Sequence, residues 1–377
     1  MTEKVHIGIF GGGGILGAHA PGFRQSQDRA EVVAVAEPDP TKAPRIRSLL
    51  GDKVAIYSDY RELLEKAEVA AVDILLPHDL HMPAAVAAAE AGKHVLIEKV
   101  MARNIWECDR MIAACGQAGV TLTVSHDRRY HPGWVTLKQV LDSGALGELY
   151  TWKLDHNQDV FPNRVGKSWI GSFDGVGGGA IMSCLTHQID GLRWFGGEVD
   201  RVTCMTRVIP HRMEGETAGI VLAQMASGAL AELSINWATR SNQPTSYRPG
   251  ESGDENSLWY EMVHVCGSEG EAYFINGRGT FVMLQDRSRV QALFDVDGAV
   301  PERGFAKLKV GDGGGHPVCV SEWIKMLRGE PNAVRTSGRD CRGTVEVAEA
   351  AYRSVETGRH VDLPIDPRPW LGKTSAS

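Results

Sequence analysis

A chain of 377 residues, 43% apolar and 23% charged, is too long for one ordinary core and has the make-up of a folded protein of two domains. Its formal net charge of -7 excludes a broad electrostatic grip on nucleic acid or an anionic membrane, since both need a surplus of Lys and Arg on one face. Small molecules are the expected partners.

At the start, Glu3-Lys4 leads directly into a short apolar run, without the long hydrophobic stretch of a signal peptide or spanning helix, so a cytoplasmic protein is expected. Up to about residue 125, β-rich runs at 5–10, 32–36, 69–76, 94–97 and 121–124 alternate with helical stretches, the pattern of a doubly wound parallel sheet. Helices are expected at 83–91, closing on Gly92, and at 105–118, before Gly119. Residues 1–125 thus read as a Rossmann-type α/β domain with right-handed crossovers.

After Tyr130-His131-Pro132, a helix through Leu141 leads into strands expected at 149–154, 201–208, 219–225, 230–236, 262–266 and 272–275. One helix, at 179–195, interrupts them. Residues 126–377 therefore read as an α+β domain on a largely antiparallel open sheet. Residues 240–256, rich in Pro, Ser, Gly and charge, read as a long loop. His316-Pro317, after three glycines, reads as a loop before a helix at 318–327; a helix at 342–356 and a loose tail follow. The seven cysteines are scattered with no CxxC pair, which suggests reduced, mostly buried thiols and neither a disulfide framework nor a zinc knuckle.

The first strand runs into Gly11-Gly12-Gly13-Gly14-Ile15-Leu16-Gly17 and then a helix. Glycines let the backbone turn sharply and approach a pyrophosphate, while the helix N-terminus offers unpaired N–H groups. The register stays open: Gly12-x-Gly14-x-x-Gly17 fits GxGxxG, whereas a start at Gly11 puts Leu16 third. Gly11 and Gly13 are favoured as the turn and phosphate-approach residues, with Gly14 beside them and Ile15 and Leu16 also expected to bind the cofactor. Glu37 ends the second strand at about the interval the fingerprint requires, and its carboxylate can accept both ribose hydroxyls. The same charge repels a 2'-phosphate, and no arginine follows at once, so NAD is expected in preference to NADP.

With these landmarks come Leu76-Pro77 and His81, Ala91-Gly92-Lys93-His94-Val95, Glu98-Lys99, Arg129-Tyr130, Gly144-x-x-Gly147, Gly177-Gly178-Gly179 with His187 and Asp190, and Ala351-Tyr352-Arg353-Ser354. Together they resemble the Gfo/Idh/MocA family, which includes glucose-fructose oxidoreductase and inositol dehydrogenase, over nearly the whole chain. The resemblance implies hydride exchange between a nicotinamide cofactor and a hydroxyl or carbonyl of a sugar, inositol or related molecule. There are two departures: the family's Glu-Lys-Pro is Glu98-Lys99-Val100 here, and the Asp usually four residues before the active-site His is Ser183. The first bears on the backbone that aims Lys99, and the second removes a carboxylate.

Lys99 lies just past the C-terminal end of its strand, the edge where open parallel sheets place ligands, and suits a donor that orients the reacting oxygen. His187 shares a helix face with Ser183 and Asp190, and its imidazole titrates where an alcohol proton must be taken at neutral pH. Asp190 is expected to orient His187 or bind a hydroxyl, and Ser183 to supply only a neutral hydrogen bond. By resemblance, the turn of Pro77, His78 and His81 touches the nicotinamide side with Glu98. By the same resemblance Arg129 is the family's arginine in the segment joining the domains, either structural or reaching substrate, and His156, Asn157 and Trp169 fall where relatives often contact substrate. His78 and His81 lack a companion ligand set, so no metal is assigned. Relatives commonly pair through the exposed sheet face, implying a homodimer or homotetramer. Two rival readings are a redox-neutral elimination or glycoside cleavage through a transient keto-sugar, and a non-catalytic sugar or nucleotide sensor.

Overall fold

The computed structural model describes residues 4–158, 169–208, 213–237 and 259–368; the loop expected at 240–256 and most of the expected tail lie outside them. The chain divides into two compact units, Met1–Tyr130 with Gly313–Val345, and His131–Asp312 with Glu346–Ser377.

In the first unit, six parallel strands are β1 (Val5–Phe10), β2 (Ala30–Ala36), β3 (Ala55–Tyr57), β4 (Ala71–Ile74), β5 (His94–Glu98) and β6 (Leu122–Ser125). Their order is β3-β2-β1-β4-β5-β6, so the sheet reverses direction between β1 and β4, where doubly wound sheets bind ligands. Helices α1 (Leu16–Gln25), α2 (Ala43–Leu50), α3 (Tyr60–Lys66), α4 (His78–Glu90) and α5 (Ile105–Ala118) make the crossovers. For α5, the Asn104 side chain accepts from the Glu107 N–H at 2.9 Å, and Gly119 ends it in the left-handed region at φ 68°. The edge strand β3 goes unseen in the sequence because three residues are too few for an alternation to register.

The second unit holds β7 (Leu149–Gln158), β8 (Val199–Arg207), β9 (Ala218–Met225), β10 (Leu230–Asn236), β11 (Trp259–Gly267), β12 (Gly270–Ile275), β13 (Gly279–Leu284), β14 (Ala306–Leu308) and β15 (Val361–Asp362). The sheet order is β14-β13-β12-β11-β7-β10-β9-β8-β15, antiparallel except for the parallel pair β7 and β10. Its helices are α6 (Pro132–Asp142), α7 (Phe173–Val176), α8 (Thr186–Gly196) and α9 (Ser288–Leu293), and a wide i→i+5 turn over Ile181–Leu185 leads into α8.

Alternate residues along β9 and β10 are buried, so one sheet face is covered. Small residues let the helices come close: a Cβ on Gly191 of α8 would lie 2.3 Å from the Trp134 ring, and one on Gly133 of α6 would lie 2.4 Å from the Phe274 ring. Phe195 stacks on Trp152 with ring centres 6.2 Å apart.

The chain then returns to the first unit as α10 (Gly315–Leu327), and α11 (Gly338–Thr357) follows. This differs from a second domain running unbroken from residue 126 to 377. The reason is apolar burial: Cys319, Val320, Trp323 and Ile324 share one core with Ile7, Ile9, Leu16 and Leu96. A Cβ on Gly22 of α1 would meet the Pro317 carbonyl oxygen and the Val320 side chain, each at 2.7 Å, so the α1 backbone lies directly against α10 there. His316 consequently lies in the first turn of α10 instead of a loop.

Candidate functional site

β1 ends at Gly11, whose φ of 100° and whose missing Cβ, which would lie 2.5 Å from the Leu75 carbonyl oxygen, both require glycine. Gly12 faces inward: a Cβ there would meet Ile46 at 2.6 Å, and its N–H donates to Glu37 Oε2 at 2.8 Å. On the Cβ side of Gly13 and Gly14 nothing lies within 4 Å, so the turn presents bare backbone. Leu16 is fully buried and anchors α1 in the core, with Ile15 packed against it.

Glu37 follows the end of β2. Besides Gly12, it accepts from the Asp39 N–H at 3.0 Å and from Lys42 Nζ at 2.9 Å, both through Oε1. Burial pushes its pKa up, but the Lys42 ammonium and the two backbone N–H groups outweigh that and hold it below the ordinary value, so it is ionised. Arg45 is a participant the sequence reading passed over. Its guanidinium donates to the Gly13 carbonyl at 2.9 Å and to those of Gly12 and Gly14 at 3.2 Å. No arginine follows Glu37 at once, yet the turn at Pro40–Lys42 and the first turn of α2 bring Lys42 and Arg45 back to the loop.

His81 joins the exits of β4 and β5. Its Nε2 is 2.8 Å from the Leu76 carbonyl oxygen and its Nδ1 is 2.9 Å from that of Val100; burial lowers its pKa, which favours a neutral ring. His78 is buried beside it at 5.4 Å between ring centres, and Pro77 caps the start of α4. The Lys99–Val100 peptide is cis.

Glu98, the residue before Lys99, belongs to a buried ionic network. His19 Nδ1 is 2.8 Å from Asp73 Oδ2 and its Nε2 is 2.9 Å from Glu98 Oε1, while His316 Nε2 lies 3.4 Å from the same Glu98 oxygen. Burial lowers the His19 pKa, but the two carboxyl groups overcome this and raise it to about 10, which keeps an imidazolium. Glu98 is held well below the usual range despite its burial because the His19 imidazolium donates to it and the His316 ring stands 3.4 Å away. Burial pushes the Asp73 pKa up, against the lowering effect of the His19 charge and bond. Glu98 is thus engaged within the unit, and His19, Asp73 and His316 are partners that no local spacing announced. Arg129 is committed in the same way: it donates to the Arg335 carbonyl at 2.7 Å and to Asp340 at 2.5 Å.

In the second unit Ser183, His187 and Asp190 are all buried. His187 and Asp190 stay one α-turn apart in α8, but Ser183 sits in the i→i+5 turn, which shifts it from the 3.6-residue phase assumed for a shared face. Glu216 and Tyr352 fix this segment. Glu216 Oε1 accepts from the Ile181 N–H at 2.7 Å and from the Tyr352 hydroxyl at 2.9 Å, and that hydroxyl accepts from the N–H groups of Gly179 at 3.0 Å and Met182 at 3.1 Å. A Cβ on Gly178 would lie 2.1 Å from the Tyr352 hydroxyl and one on Gly179 would lie 2.3 Å from the Glu216 carbonyl oxygen. The glycine triplet and the late tyrosine, far apart in sequence, are therefore one structural feature. Burial raises the Glu216 pKa to about 7, against the lowering effect of its backbone and Tyr352 bonds.

The four residues expected at substrate divide. Arg129 is tied to its own unit as above, and Trp169 lies partly exposed in a short 3-10 turn. His156 is buried on the helix-covered face of β7, whereas Asn157 belongs to the opposite face, since neighbouring strand residues alternate. His156 and Asn157 therefore cannot line one surface.

A six-stranded parallel sheet in this order, with bare glycine backbone after its first strand and an ionised acid after its second, defines a dinucleotide-binding Rossmann unit. Comparison with known proteins gives the same class. The model of the oxidoreductase family with an NAD-binding Rossmann fold matches residues 5–126, and that of the GFO/IDH/MocA C-terminal domain matches residues 134–273. Levoglucosan dehydrogenase of Pseudarthrobacter phenanthrenivorans is 30% identical over 85% of this chain and 83% of its own length. Myo-inositol 2-dehydrogenase of Thermotoga maritima is 26% identical over 95% of this chain and 98% of its own. Among solved structures, levoglucosan dehydrogenase in complex with NADH and levoglucosan superposes with a TM-score of 0.79 at 22% identity, covering 96% of this chain and 100% of that one. The WlbA dehydrogenase from Bordetella pertussis, in complex with NADH and UDP-GlcNAcA, gives 0.76 at 24% identity over 97% of this chain and 100% of that one.

The chain belongs to the GFO/IDH/MocA oxidoreductase family. It is an NAD-dependent enzyme, and the open glycine backbone and ionised Glu37 suit that cofactor. Among the described residues, no helix is long and apolar enough to cross a membrane.

Proposed function

We propose that this enzyme oxidises a secondary alcohol of a sugar, glycoside or inositol, or reduces the matching ketone, in the cytoplasm. The observation that carries the reading is its likeness to relatives named for levoglucosan, myo-inositol and D-apiose, all polyhydroxylated. Bound NAD supplies the hydride acceptor. Lys99, just past the end of β5, donates a hydrogen bond to the reacting oxygen, and His187 takes the hydroxyl proton as the carbonyl forms. Asp190 orients His187, and Ser183 contributes a neutral hydrogen bond. Glu37 receives the ribose hydroxyls and disfavours a 2'-phosphate.

The second unit's open sheet face supports a homodimer or homotetramer. Met205, Ile220, Leu222 and Leu230 are each at least half exposed there, an apolar surface of the kind that marks a protein contact.

The test is a screen of sugars, glycosides and inositols with NAD, monitored by nicotinamide absorbance, followed by Lys99→Ala and His187→Ala on the best substrate. Each substitution is expected to lower turnover about a hundredfold or more with NAD affinity little changed. Near-normal turnover in either variant removes that residue from its role. Substrate consumed without NADH release assigns the redox-neutral chemistry instead.

A further inference from the structure

Two clusters of ligand-type side chains, each confined to one unit, stand apart in character. In the His19, Glu98 and His316 group, both nitrogens of His19 are engaged by carboxylates and the ring keeps its proton, so it has no lone pair to give a cation. The second cluster, His264, Cys266 and Glu271 on the β11–β12 hairpin, differs in each respect.

His264 and Cys266 are two residues apart on β11, so both side chains leave the same face, and Glu271 of β12 is the direct cross-strand partner of Cys266. That face is the open one. His264 Nε2 is 3.0 Å from Glu271 Oε2 and 3.6 Å from Cys266 Sγ. A tetrahedral zinc site, built from its usual bond lengths, separates nitrogen from oxygen by about 3.4 Å and nitrogen from sulfur by about 3.6 Å. The ligand atoms therefore already stand near the edges of such a site, with a few tenths of an ångström to open.

The scaffold is stiff as well as close. β11 is paired along its length with β7 and from Met262 to Cys266 with β12. A Cβ on Gly267 would lie 2.3 Å from the Leu146 carbonyl oxygen and one on Gly270 would lie 2.3 Å from that of Met283, so the hairpin end is fixed by backbone packing. Among the described residues Glu271 has no Lys or Arg partner. The neighbouring Lys153, across from His264 on β7, has its ammonium nearest Glu232 instead, at 3.8 Å.

We propose that His264, Cys266 and Glu271 form a binding site for a divalent zinc-type cation on the open face of the second unit's sheet. One imidazole nitrogen, one thiolate and one carboxylate are the donor mixture that a borderline metal prefers over Mg²⁺ or Ca²⁺. His264 and Glu271 are about one-third exposed, which leaves the fourth position to water. Binding displaces the Cys266 proton, so affinity rises with pH. In the metal-free state burial raises the Cys266 pKa, as do Glu271's charge and bond, so the thiol holds its proton at neutral pH.

The probe is Co²⁺ titrated into the full-length protein after chelator treatment, read by the thiolate-to-cobalt absorption band and the visible bands of tetrahedral cobalt. One equivalent is expected to give both, and one equivalent of Zn²⁺ to bleach them. Cys266→Ser should abolish the thiolate band, and His264→Gln should weaken binding at least about tenfold. Both positions are only partly buried, and circular dichroism checks the fold of each variant. Zn²⁺ should also raise the melting temperature of the wild type, and raise that of His264→Gln by less at the same concentration. Absence of the thiolate band at saturating Co²⁺, or its survival in Cys266→Ser, overturns the proposal.

Discussion

Glu37 and Glu216 are two carboxyl groups treated alike by the backbone and differently by everything else. Each accepts from backbone N–H groups at a point where a strand or loop meets a helical segment. Glu37 also has the Lys42 ammonium and a nearby surface, and it is held ionised below the ordinary range. Among the described residues Glu216 has only the neutral Tyr352 hydroxyl as an added side-chain partner and is buried, so burial carries it up to about 7. Backbone donors alone do not offset complete desolvation of a carboxylate; a cation does. The first arrangement suits a site that must present charge to a ligand. The second suits a brace that holds the segment carrying Ser183 and His187.

The sharpest way to break this contrast is to remove the titration of Glu216. Its folded pKa is raised from 4.5 to about 7, so its contribution to stability is fully present below 4.5 and is lost as pH rises through 7. Glu216→Gln, which mimics the protonated acid, should flatten that loss. Denaturant unfolding at about pH 5 and about pH 8 is expected to show a wild-type decline, relative to the variant, on the order of 3 kcal/mol. Parallel curves would mean that Glu216 stays charged in the folded protein.

At the other carboxylate the expected effect is smaller. NAD should exceed NADP by at least about tenfold in kcat/KM, and Glu37→Ser should narrow that ratio by removing the charge that a 2'-phosphate meets. Lys42, released from its ion pair, and Arg45, already at the glycine carbonyls, then stand as cations beside the incoming phosphate. Equal efficiencies in the wild type would remove the discrimination from Glu37.

The smallest effect tests whether a carboxylate placed on the braced segment itself reaches His187. An Asp at 183 would favour the imidazolium, so Ser183→Asp should move the acidic limb of the oxidation profile upward by at most about one pH unit. The i→i+5 turn at Ile181–Leu185 and the charge of Asp190 both reduce it. An unmoved limb, with NAD binding and fold intact, would show that position 183 does not face the titrating base.

Much of the first unit was legible in sequence because its signals are local. The glycine run follows a strand directly, Glu37 ends the next strand, and parallel strands buried on both faces read as continuous apolar runs. The second unit's longer strands were legible for the same reason, through their alternation. Short pieces at the sheet margins, β3, β14 and β15, carry too few residues for any period to show. Tertiary structure alone decided the rest. Trp323 and its neighbours on α10 return across some two hundred residues to fill the Rossmann core, because an apolar face goes where matching apolar area is. Glu216 meets Tyr352, 136 positions away, and His19 meets Asp73 and Glu98, because a buried polar group must find a partner wherever the fold supplies one. Sequence spacing records which residues share a helix face or a strand face; which faces then meet, and so which charges are neutralised, is settled only when the chain is packed.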